Sequence, residues 1–159
     1  MTALSPPSKF GKILTTNDIQ IPKSSVLENL GVGTKQGLEE TTLAYGKDFN
    51  LLTGDDATCF AFMLYGGHGA ISVTANIAPK LCSDFMNFCL EGNFLEAAKI
   101  NDLLMPLHIA LFVESSPGPI KYAANKLGLC SSEIRLPLTE TSDETKKIVD
   151  QALKHASLI

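Results

Sequence analysis

Residues 48–77 constrain the fold more than any other part of the chain. They open on the apolar run Phe49-Asn50-Leu51-Leu52 and break at Thr53-Gly54-Asp55-Asp56. They continue through Phe60, Phe62 and Met63 at helical spacing, and break again at Gly66-Gly67-His68-Gly69. A β-branched run, Ala70-Ile71-Ser72-Val73, follows. Period and punctuation together predict a buried strand over 49–52, a helix over 56–65 and a second strand over 70–73. Two strands joined through a helix lie parallel, and runs of this apolar kind suit strands covered on both faces. The segment therefore reads as α/β.

Beyond Asn76 the pattern is helical. One apolar stripe (Leu81, Phe85, Phe88) predicts a helix over 78–91, stopped at Gly92. Asn93 is placed to cap the next, which carries Ala97, Ile100, Leu104, Leu107 and Leu111 and should kink at Pro106. Ser115-Ser116-Pro117-Gly118-Pro119 forces a turn before a helix over 120–127 that Gly128 ends. Thr141 stands three residues before Glu144, a capping-box arrangement, ahead of a last helix with Ile148, Ala152 and Ala156 on one face. Residues 1–47 differ: Pro6, Pro7, Pro22 and scattered glycines interrupt them, and only 38–45 suggests a short helix. The expected organisation is an irregular segment over 1–47, an α/β unit over 48–77 and a helical domain over 78–159.

Composition narrows the function. The chain's 159 residues suffice for one cored domain, whereas a complete (β/α)₈ barrel takes roughly 250. A net charge of −4 with no basic cluster argues against nucleic acid. The longest apolar stretch, 103–113, holds Pro106 and His108 and is too short to cross a bilayer, and no signal peptide is evident. Cys59, Cys82, Cys89 and Cys130 lack the close pairing of zinc ligands and read as small buried hydrophobes in a reducing, cytoplasmic compartment. Among polar candidates, Asp55 and Asp56 fit helix capping better than acid–base work, and Gly54 and Gly69 fit tight turns. Ile71 fits a core strand, while Tyr65, Tyr122 and His108 fit packing. His68 sits in a glycine-rich loop with no evident partner for a catalytic base.

Taken in order, these segments resemble one family. Leu52-Thr53-Gly54-Asp55-Asp56-Ala57 and Gly66-Gly67-His68-Gly69-Ala70-Ile71-Ser72-Val73-Thr74-Ala75-Asn76 are similar to the seventh and eighth barrel strands of dihydrodipicolinate synthases. Leu104-Met105-Pro106-Leu107, Leu111-Phe112-Val113-Glu114-Ser115, Pro119-Ile120-Lys121-Tyr122-Ala123 and Arg135-Leu136-Pro137-Leu138 continue the likeness to the C-terminus. The resemblance implies an α/β fold: the last two βα units of a TIM barrel, then a helical C-terminal domain. It implies a lyase of lysine biosynthesis, in which a lysine forms a Schiff base with pyruvate and the enamine attacks aspartate semialdehyde. It places Gly54 and Ile71 at the positions whose backbone carbonyls border that lysine and the substrate, and it calls for no metal and no cofactor.

The same resemblance locates a deficit. The paired threonines, tyrosines and arginine of the family site lie on earlier strands, and Thr15-Thr16 lacks the matching surroundings. Ungapped register puts Asn29 where the Schiff-base lysine belongs. Lys35, after Gly31-Val32-Gly33-Thr34, is the better placed of two substitutes, ahead of Lys23, but neither follows an apolar strand that would bury it. The expectation is a truncated or split synthase-like protein, inactive alone, that binds pyruvate once a separately encoded N-terminal half completes the barrel. The alternative is a non-enzymatic, self-associating remnant or interaction module, and a homo-oligomer is expected either way.

Overall fold

The computed structural model describes residues 50–159. Lys35, Lys23, Asn29, the segment 1–47 and its short helix lie outside the described residues. Two strands, β1 (Leu52–Thr53) and β2 (Gly69–Ala70), form a parallel pair in the register Leu52 opposite Gly69 and Thr53 opposite Ala70. The crossover between them carries the short helix α1 (Cys59–Leu64). A 3-10 turn (Thr74–Asn76) leads to four longer helices: α2 (Pro79–Leu90), α3 (Phe94–Ala110), α4 (Gly118–Lys126) and α5 (Asp143–His155). The strand–helix–strand reading holds, as does the helical remainder, except that 129–142 is irregular.

Two apolar clusters hold these elements. Phe62, Met63, Cys59 and Leu51 pack with Phe85 and Cys89 of α2 and Ala97 of α3, joining the crossover to the helices. Phe60 meets Phe85 edge-on, with ring centroids 6.0 Å apart. The larger cluster is centred on α3, whose Leu104 and Leu107, with Leu111 just beyond, meet Ile120 and Ala123 of α4 and Val149, Ala152 and Leu153 of α5. Helix α3 continues through Pro106 as one element, although a proline there denies the Asp102 carbonyl its partner.

Helix ends follow the chemistry of their residues with one correction. Gly92 and Gly128 take left-handed backbone, φ +76° and +73°, just past α2 and α4, so both stops stand. Asn93 Oδ1 accepts from Glu96 N at the start of α3. Helix α5, however, is capped by Ser142, whose Oγ accepts from Thr145 N at 3.3 Å, and not by Thr141. Ser142 has the extended backbone a cap requires, and Glu114 holds it in place by accepting from its N–H and hydroxyl. Thr141 is buried beside Gly118 with its hydroxyl unpartnered. The buried stripe of α5 is consequently Thr145, Val149, Ala152, Leu153 and Ala156, leaving Ile148 on the open side.

The cysteines split. Cys59 and Cys89 are buried and Cys82 half-buried, but Cys130 is exposed and is no core residue. Burial pushes the Cys59 thiol up to about 12 and those of Cys82 and Cys89 to about 11, so these thiols stay protonated and unreactive at neutral pH. Among the described residues no helix is long and apolar enough to cross a membrane, and no group of three or more His, Cys, Asp or Glu is placed to hold a metal.

Candidate functional site

Chemistry in parallel α/β folds concentrates past the C-terminal ends of the strands, and the two positions expected to border a substrate, Gly54 and Ile71, lie there. The last paired residues are Thr53 and Ala70, so Gly54 and Ile71 follow directly and, at the same offset, stand opposite one another. The Ile71 N–H donates to the Thr53 carbonyl at 2.8 Å, closing the ladder. Ile71 is not a core strand residue: its side chain is 44% exposed on the open end of the sheet. Gly69 is a strand residue rather than a turn, and a Cβ there would come within 3.0 Å of Leu52 Cδ2.

The two adjacent aspartates divide their work. Asp55 organises its own loop, accepting from Ala57 N at 3.3 Å and from the Thr58 hydroxyl at 2.7 Å. Asp56 does not cap α1. It is 3% exposed, and its Oδ2 accepts from Val73 N (2.9 Å), Thr74 N (3.0 Å) and Thr74 Oγ1 (3.2 Å) across the fold. That grip explains why β2 is shorter than predicted. The amides of Val73 and Thr74 serve a carboxylate instead of a neighbouring strand, and the chain turns into the 3-10 segment.

Thr74 Oγ1 also lies 2.8 Å from His108 Nδ1, near the end of α3. Thr74 has a single hydroxyl hydrogen; directed at Asp56 Oδ2, as the 3.2 Å contact has it, it leaves His108 Nδ1 to donate to Thr74 Oγ1. Burial lowers the His108 pKa below its ordinary value, against the smaller pull of Asp56 and Asp55, and favours the neutral ring. His68 has the opposite arrangement, with its Nδ1 accepting from Leu51 N at 2.9 Å. A ring nitrogen that receives a backbone N–H braces the start of β1 and is not poised to take a substrate proton. His108 is thus more than packing, and the Asp56–Thr74–His108 chain has no counterpart in the sequence expectations. Its partners lie 18 and 34 residues apart, and no local spacing announces them.

The lysines show where a Schiff-base nucleophile is not. Lys80, Lys99, Lys126, Lys147 and Lys154 are exposed, and Lys121 and Lys146 are half-buried. Asp150 holds the Lys126 pKa above its ordinary value and Asp143 does the same for Lys146. Tyr122 donates to the other oxygen of Asp150 at 3.0 Å, a packing and pairing role joining α4 to α5.

Known proteins give this geometry its context. The chain is 50% identical over 116 residues to the 4-hydroxy-tetrahydrodipicolinate synthase of Afipia carboxidovorans, covering 73% of this chain and 39% of that protein. It is 54% identical over 114 residues to that of Bartonella henselae, covering 72% and 39%. The chain therefore spans about two fifths of the length of these curated relatives. Among solved structures, dihydrodipicolinate synthase from Acinetobacter baumannii, complexed with pyruvate, superposes with a TM-score of 0.75 at 36% identity, over 80% of this chain and 44% of that one. The enzyme from Thermotoga maritima gives 0.74 at 34% identity, over 79% and 42%. The family description itself matches residues 20–156, and the chain belongs to the dihydrodipicolinate synthetase family.

Proposed function

We propose that residues 48–159 form the last two βα units and the helical domain of a 4-hydroxy-tetrahydrodipicolinate synthase-like barrel, and that the chain is inactive until an N-terminal barrel half, supplied separately, completes it. In the completed site an amine adds to the C2 carbonyl of pyruvate and water leaves. Loss of a C3 proton gives an enamine that attacks aspartate semialdehyde. The carbonyls of Gly54 and Ile71 are the groups of this chain that border the substrate, where their dipoles favour a protonated imine. The setting is cytoplasmic, where the four unpaired thiols stay reduced.

The observation that carries this reading is the placement of the lysines. A Schiff-base lysine must be neutral when it attacks, and burial away from carboxylates achieves that. None of the lysines among the described residues is buried. Borohydride reduction with pyruvate followed by peptide mass mapping is the test. The chain alone gives no adduct, and the chain mixed with the N-terminal half of the Bartonella henselae enzyme gives one on that half. An adduct on Lys35, or on any lysine of this chain, overturns the reading.

A second reading, a self-associating module without activity, draws on the apolar surface. Leu90, Leu95 and Ile109 are 61%, 72% and 58% exposed, and the two-stranded sheet offers unpaired edges. Light scattering separates the two: a monomer at high concentration removes the module, and an assembly that never supports an adduct removes the enzyme half.

A further inference from the structure

The buried chain Asp56–Thr74–His108 joins three parts of the fold that the strand ends alone do not connect. Asp56 sits two residues past Gly54, Thr74 three past Ile71, and His108 near the end of the longest helix of the C-terminal domain. Every link is short and buried: Thr74 is 0% exposed, Asp56 3% and His108 6%. Deprived of His108, Thr74 Oγ1 would lose its described ring partner, and the contact with Asp56 alone would set its hydroxyl. Deprived of that hydroxyl, Asp56 would keep the amides of Val73 and Thr74 with one bond fewer to fix its rotamer.

We propose that His108 is a positioning residue, acting through Thr74 and Asp56 to hold the loops after both strands so that the Gly54 and Ile71 carbonyls face one substrate. This rests on the reading of those carbonyls given above, but the hydrogen-bond chain can be tested without it. No step of the chemistry passes through His108, whose hydrogen-bond partner is Thr74. Its work is to let the helical domain fix the geometry of the sheet.

The first arm needs only the isolated chain. Long-range proton–nitrogen correlation shows whether neutral His108 carries its proton on Nδ1, as a Thr74 hydroxyl directed at Asp56 demands, and His68 on Nε2, as the Leu51 N–H demands. Amide exchange is then followed at Val73 and Thr74 in H108L, H108N and T74V. Loss of one hydrogen bond in a network ending on a charge should speed exchange there about tenfold in H108L and T74V. H108N, whose amide replaces the Nδ1 donor, restores the native rate, and Val149 in α5 reports that the helices remain folded. Unchanged exchange in H108L and T74V, or an H108N variant no better than H108L, overturns the proposal. The second arm adds the N-terminal half. With that half H108L raises the pyruvate concentration needed for half-maximal adduct about tenfold and H108N returns it toward native, whereas equal values for all three overturn the positioning role. If the native chain yields no adduct at all, the functional reading fails while the exchange arm still decides on the network.

Discussion

Gly67→Ala is the most discriminating perturbation of the strand–helix–strand unit. A Cβ at this position would lie 2.2 Å from both Cδ1 and Cε1 of Phe62 and 2.9 Å from the Phe62 carbonyl oxygen. Neither neighbour can retreat cheaply. The Phe62 ring is 0% exposed in the core between α1 and α2, and its carbonyl accepts from Gly67 N at 3.0 Å. Overpacking of this kind costs about 1–3 kcal/mol, and the strained hydrogen bond adds about 1 kcal/mol. The expected loss is therefore ~2–4 kcal/mol against a total stability of order 5–15 kcal/mol. Urea unfolding followed by circular dichroism and by tyrosine fluorescence measures it, with coincident transitions licensing the two-state treatment. Gly66→Ala is the control: that residue sits at φ +93° with open space around it, so only backbone strain of roughly 1–2 kcal/mol applies. F62L supplies the decisive comparison, because a smaller side chain makes room for the new methyl. In the F62L background G67A should cost at least ~1 kcal/mol less than alone. Additive costs, or a G67A chain within ~0.5 kcal/mol of native, would refute the argument from close approach.

Three further outcomes follow from separate features. Leu107→Ala, at a side chain 0% exposed among α3, α4 and α5, should lose ~2–5 kcal/mol, read as a lowered urea midpoint. Ser142→Ala should cost ~1 kcal/mol through loss of the α5 cap, whereas Thr141→Val, which removes a buried hydroxyl with no partner and keeps the shape, should be neutral or stabilising. Because His108 is depressed in the fold, the unfolded chain binds the extra proton first as pH falls. Stability is therefore full above about 6.5 and declines below it until His108 itself titrates in the fold, and H108N should flatten the fall of the urea midpoint between pH 7 and 5. Glu114 and Asp150, held below their ordinary values by the Ser142 hydroxyl and by Lys126 and Tyr122, contribute only at lower pH and do not mask that window.

Local chemistry made most of the scaffold legible. Gly92 and Gly128 stop helices because left-handed backbone is easy only for glycine, and Asn93 caps because its side chain reaches the next free amide. Such signals lie within four residues of what they control. Sequence and structure part where a distant group decides the outcome. Ile71 reads as a strand-core residue, but β2 ends at Ala70 because Asp56, on another loop, takes the Val73 and Thr74 amides. Thr141 has the spacing of a capping box, but Glu114 from the α3–α4 connection fixes Ser142 in the cap instead. Ile148 and Val149 are equally apolar, and only the position of α3 and α4 determines which is buried. His108 was indistinguishable from packing because nothing near it in sequence shows that a threonine 34 residues earlier meets its ring.

On the proposed reading, what the described residues offer a carbonyl substrate is uneven, and the imbalance has a physical basis. Backbone acceptors at paired strand ends come with the fold, since any parallel β–α–β unit presents consecutive carbonyls there. A neutral amine does not. A lysine titrating near 7 has given up more than three pKa units, over 4 kcal/mol of preference for the charged form, and only desolvation or neighbouring cations can impose that. Around Lys126 and Lys146 the forces run the other way, since Asp150 and Asp143 stabilise the ammonium. Reorienting exposed chains cannot reverse the sign, because the carboxylates that hold them are the same groups that tie α4 to α5 and open α5. On the proposed reading the nucleophile lies outside residues 50–159, and peptide mapping of a reduced pyruvate adduct locates it, on a Lys35 peptide or on a peptide outside this sequence.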